Sequence, residues 1–88
     1  MSGRLDAIRQ RLETLAPQEL EVVDESYKHV GHEGARDGRG HFAVRIVSAA
    51  FEGESLLARH RRVYEALGTL MHTDIHALSL KAIAPTEL

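Results

Sequence analysis

Apolar residues recur along this chain in two rhythms. Over residues 3–16, Leu5, Ile8, Leu12 and Leu15 are spaced to share one face of a helix with 3.6 residues per turn. Ser2 stands where a helix cap belongs, and Pro17 closes the segment. Arg4, Arg11 and Gln18 fall on the far side and read as a solvated face. The rhythm then shortens. Residues 20–26 read as a strand in which Leu20 and Val22 alternate with Glu21. Val23 breaks the alternation, so both faces of that strand are expected to be partly covered. Residues 27–40 hold Gly31, Gly34, Gly38 and Gly40 among charges and histidines, and read as a loop too long for a simple hairpin. A clear strand follows at 41–48, with Phe42, Val44 and Ile46 on one parity and His41, Ala43, Arg45 and Val47 on the other. After a turn at Gly53, Ser55 caps a second helix predicted over 55–71. Its apolar stripe is Leu56, His60, Val63, Leu67 and Leu70, flanked by Leu57, Tyr64 and Met71, with Arg59, Arg61 and Arg62 off the stripe. Residues 75–83 form a last strand, with Leu78, Leu80 and Ala82 on one face.

The order is α-β-β-α-β, an α+β class in one domain spanning 1–88. The first two strands are expected to pair antiparallel. The third is reached through a helix, so a right-handed crossover makes it parallel to the second. The second strand is then central in a three-stranded mixed sheet with both helices on one face. Parallel strands begin at the same end of a sheet. His76, near the start of the third strand, should therefore lie close to His41 and to the loop that carries His29 and His32. Such a gathering, half on a loop and half on strands, suits an exchangeable metal site. The spacing matches no zinc signature: His72 and His76 are four apart, but Thr73-Asp74 breaks the helix between them. Plainer roles compete. His60 reads as a hydrogen-bonded core residue, His41 as packing at a strand start, and His72 as a helix-end residue in the field of the helix dipole.

Composition narrows the chemistry. Eighty-eight residues leave little room for an enclosed active-site cavity. Cysteine is absent, so this chain offers no thiolate of its own, and a soft metal site must use histidine or a partner's sulfur. The six histidines are the one excess. With histidines neutral the net charge is −2, which gives no reason to expect tight nucleic-acid binding. Arg59, Arg61 and Arg62 nevertheless form a basic stretch that could reach phosphates, or an acidic partner. The Gly31-to-Gly34 match to Gly-x-x-Gly lies between two strands and carries Glu33, so it is not the backbone clamp of an RNA-binding loop. Ser26, Ser48, Ser55 and Ser79 lack a nucleophile motif, and no catalytic activity is expected. No apolar run approaches the length of a membrane span, and the N-terminus lacks a signal-peptide core. A cytoplasmic, bacterial location is expected, with the mature form of an imported mitochondrial protein as the other reading.

Several short segments carry a family resemblance: Glu25-Ser26-Tyr27-Lys28-His29, Gly40-His41-Phe42, Phe51-Glu52-Gly53, Arg59-His60-Arg61, Ile75-His76-Ala77-Leu78 and Pro85-Thr86-Glu87. In this order and spacing the chain resembles the BolA family over nearly its whole length. The resemblance implies the BolA-like topology, shared with the type II KH fold. It implies an adaptor that binds a monothiol glutaredoxin and shares a [2Fe-2S] cluster with it, in iron–sulfur assembly or iron sensing. The alternative it implies is a DNA-binding transcription regulator using the Arg59–Arg62 helix. It places one cluster ligand on His76 and a second on the loop, at His29 with His32 as the alternative. The partner's cysteine and bound glutathione would complete the set. The isolated chain, a monomer or weak homodimer, is expected to carry no cluster.

Overall fold

The computed structural model of the chain describes residues 3–26 and 39–88. The elements are α1 (Gly3–Leu12), β1 (Glu19–Asp24), β2 (Gly40–Val47), α2 (Leu56–Leu67), a short α3 (Leu70–Thr73) and β3 (Ile75–Ile83). Single 3-10 turns occupy Glu13–Leu15, Ala49–Phe51 and Pro85–Glu87. The sheet order is β1-β2-β3. β1 runs antiparallel to β2, with Val22 opposite Val44. β3 runs parallel to β2, with Val44 opposite Leu80 and Ile46 opposite Ala82.

One face of the sheet makes the core. Val22, Phe42, Val44, Ile46 and Ala82 are buried against Ile8 and Leu12 of α1 and Val63 and Leu67 of α2. Burying each larger apolar side chain contributes roughly 1.5–3 kcal/mol. The other face, with Glu21, Arg45, Ser79 and Lys81, stays open. Val23 lies there and is 45% exposed, so β1 is covered on one side and not on both.

Element ends depart from the periodicity where backbone conformation takes over. α1 tightens into a 3-10 turn, and Ala16 leaves it in the left-handed region (φ 49°) ahead of Pro17. β2 starts at Gly40 and stops at Val47. Buried Ser48 instead accepts a hydrogen bond from the Ala50 N–H and donates to the Leu15 carbonyl. The predicted single helix 55–71 is broken in two. Ser55 caps α2 through the Ala58 N–H as expected, but Gly68 at φ 55° ends it, and the chain re-enters a helix only at Leu70.

The buried stripe of α2 is also rotated. It runs Arg59, Val63, Leu67, whereas Leu56 is 67% exposed and His60 only half-buried, edge-on to Tyr64. Arg59 takes the position expected of an apolar side chain or His60 because its charge finds a partner far along the chain. Its guanidinium donates to the carbonyls of Glu54 and Ala82 and to both carboxylate oxygens of Glu87 at 2.7 and 2.8 Å. Nearby, Glu52 accepts hydrogen bonds from the hydroxyl and N–H of Thr86. The segments around Phe51, Arg59 and Pro85 thus form one knot that fastens the C-terminal turn to the start of α2.

Candidate functional site

The end of the sheet opposite that knot is where the histidines meet. Asp24 holds the Ser26 N–H through its side chain at 2.9 Å, turning the chain out of β1. The Ser26 hydroxyl accepts from the His41 N–H at 3.0 Å, and the Glu25 N–H donates to the His41 carbonyl. Gly40 donates its N–H to the Asp74 carbonyl, which ties the start of β2 to the residue just before β3. Asp74 is itself anchored to α1 by Arg4 at 3.2 Å. The Thr73 hydroxyl first, and Arg4 second, hold the Asp74 carboxyl below the usual carboxylate range.

His76 stands at an irregularity in the ladder. Gly40 is opposite Ile75 and His41 is opposite Ala77, so His76 is an extra residue on β3 that the pairing skips. Such bulges re-aim a side chain. Here the His76 and His41 rings come to a centroid separation of 5.1 Å at a tilt of 51°, with His76 exposed. The Arg39 guanidinium lies 3.3 Å from Nδ1 of His76.

The parallel pairing therefore brings His41 and His76 together as the topology predicts. His29 and His32, the loop candidates, lie outside the described residues. Among the described residues no group of three or more His, Asp or Glu side chains converges as a metal cage. His41, which the sequence reads as packing or hydrogen-bonding at a strand start and as one of the gathering histidines, lies beside the candidate ligand. Arg39 carries no signal in the sequence, and Ser26 enters only through a family segment and as a serine without a nucleophile motif; nothing in their local sequence announces contacts made 37 and 15 residues away.

The candidate phosphate surface fares differently. Arg59 is 6% exposed and fully engaged, so it is a structural residue and not a surface contact. Arg61 and Arg62 are exposed, but Arg62 is paired with Glu54, and Glu54 and Glu65 share their shallow groove. The hydroxyls of Ser26, Ser48 and Ser55 each serve backbone groups. No helix among the described residues is long and apolar enough to cross a membrane.

Comparison with known proteins gives this geometry its context. A family model described as BolA-like protein matches residues 12–87. The chain is 48% identical, over 92% of its length, to SufE-like protein 1, chloroplastic/mitochondrial, of Arabidopsis thaliana, of which it spans only 24%. It is 44% identical to the DNA-binding transcriptional regulator BolA of Escherichia coli, over 83% of this chain and 71% of that protein. The solved BolA domain of SufE1 from Arabidopsis thaliana superposes with a TM-score of 0.86 at 45% identity, covering 100% of this chain and 99% of that one.

Proposed function

Because this chain belongs to the BolA family, we propose that it is an adaptor that docks a monothiol glutaredoxin and shares a [2Fe-2S] cluster with it. The observation that carries the reading is the meeting of His76 and His41 at the end of the sheet where β2 and β3 begin. The donors suit half of a shared site. The imidazole of His76 is a borderline ligand that accepts iron, and it stands exposed at the rim of the sheet, where a partner can reach it. This chain would contribute His76 from the rigid start of β3 and one loop histidine, His29 or else His32. The partner would contribute its cysteine and the thiolate of bound glutathione. A cluster bound this way would carry electrons at a potential raised by its imidazole ligands and sensitive to pH. The chain's own residues set the geometry: Ser26 and Gly40 bracket His41, and the ladder irregularity presents His76.

The test is reconstitution with a monothiol glutaredoxin, read by iron and sulfide content and by visible circular dichroism. His76→Ala should abolish or strongly destabilise the shared cluster, since no neighbour on the strand can replace it. His29→Ala should do less harm, and the His29, His32 double substitution should approach His76→Ala. An unchanged spectrum at full occupancy for His76→Ala would remove His76 from the ligand set and the reading with it.

A second reading, DNA-binding regulation, has in its favour the 44% identity to the DNA-binding transcriptional regulator BolA of Escherichia coli. The burial of Arg59 and the carboxylates beside Arg61 and Arg62 weigh against the α2 helix as its surface.

A further inference from the structure

Arg39 sits immediately before β2 and reaches across to β3, where its guanidinium contacts Nδ1 of His76 at 3.3 Å. A guanidinium carries donors and no acceptor. Nδ1 must therefore offer its lone pair to Arg39, and in the neutral ring the proton then sits on Nε2. A neutral imidazole has one lone pair, and a metal ion needs it. Coordination through Nδ1 takes the electron pair that Arg39 is using. Coordination through Nε2 requires the proton to move to Nδ1, where the new N–H would face the N–H groups of the guanidinium. Both routes break the contact. At 3.3 Å between exposed side chains the contact is a long one, weak enough to give way.

We infer that Arg39 is a positioning residue that masks the coordinating nitrogen of His76 in the isolated chain and is displaced when His76 binds metal. The inference rests on the reading of His76 as a ligand. It gives the adaptor a reason not to collect stray divalent cations before its partner arrives. A partner can hold Arg39 aside with a carboxylate or a backbone carbonyl, whereas a bare cation must displace it unaided and so binds more weakly.

The probe is Zn²⁺ alone, titrated into the isolated full-length chain above the titration range of histidine. The imidazole nitrogens are followed by ¹⁵N-resolved magnetic resonance so that His76 is read by itself. Arg39→Ala should tighten Zn²⁺ binding at His76 by about threefold to tenfold, the value of one modest charge-assisted hydrogen bond. Arg39→Lys keeps charge and donor and should stay closer to the original protein than to Arg39→Ala. Arg61→Ala removes the same charge from α2 and should leave the His76 affinity unchanged. Equal affinities in the original chain and Arg39→Ala, no Zn²⁺ at His76 in either, or an equal gain from Arg61→Ala would each overturn the inference. No glutaredoxin is present in this titration. Failure of the shared cluster to form is a separate result that sinks the functional reading without touching the zinc comparison.

Discussion

Gly40 shows how closely the histidine edge is packed. A Cβ built on it would meet the Ser26 hydroxyl oxygen at 2.7 Å and the Phe42 ring at 2.8 Å. Phe42 is 2% exposed and cannot swing away, so the methyl must push Ser26 or distort the strand. Gly40→Ala is expected to destabilise the protein by about 1–3 kcal/mol, the usual cost of overpacking a filled site. The Ser26 hydroxyl holds the His41 N–H, so the same substitution should speed hydrogen exchange at the His41 amide. Urea unfolding and amide exchange measure both effects. A variant as stable as the original would mean that the close approach is not a constraint. Arg39, His41 and Ser26 act through contacts of the same kind, which exist only once β1, β2 and β3 are assembled.

Among the elements, the C-terminal turn Pro85–Glu87 depends most on one pair of groups. The Arg59 guanidinium, helped by the Ala84 N–H, lowers the Glu87 carboxyl from its ordinary 4.5 to about 2. A depressed carboxyl stabilises the folded state fully above its unfolded value, and that contribution fades as pH falls from 4.5 towards 2. The original protein should thus lose more stability between pH 6 and pH 3 than Glu87→Gln does, compared by urea midpoints at each pH. Parallel pH profiles would show that the pair does not stabilise the fold. Arg59→Ala should lower the melting temperature more than Arg61→Ala or Arg62→Ala, because it also leaves the Ala82 and Glu54 carbonyls without their donor. The knot and the histidine rim sit at opposite ends of β3, about 20 Å apart by strand rise. The sequence segments around Phe51, Arg59 and Pro85 therefore maintain the scaffold, while those around His41 and His76 form the rim proposed to meet a partner.

For the whole molecule, charge decides how far a nucleic-acid role can extend. The chain is slightly acidic when its histidines are neutral. Of its α2 arginines, only Arg61 and Arg62 face solvent, next to Glu54 and Glu65. Any duplex DNA binding by the isolated chain should weaken steeply with salt. Replacing both Arg61 and Arg62 by alanine should flatten the logarithmic salt slope by at most about 2, one for each lost phosphate contact. His76→Ala should leave that binding nearly intact. Loss of DNA binding in a folded His76→Ala protein would put both activities on one surface.

Periodicity and order along the chain were enough for the α-β-β-α-β arrangement, the antiparallel and parallel pairings, the core parity of Phe42, Val44 and Ile46, and the approach of His76 to the start of β2. These follow from the spacing of apolar residues and the reach of a crossover, both of which are local or topological. Other features had no local trace. The break at Gly68 depends on a backbone angle, and a glycine in a helical pattern does not declare its angle. The burial of Arg59 depends on Glu87, 28 residues away, arriving to neutralise it; without that partner an arginine on a helix belongs in water, as the pattern suggested. The extra residue at His76 and the hold of Arg39 upon it come from strand register, and register is fixed only when the two strands pack. Charge and polar contacts between distant segments cannot be read along one dimension, because their energy depends on distances that the assembled fold alone sets.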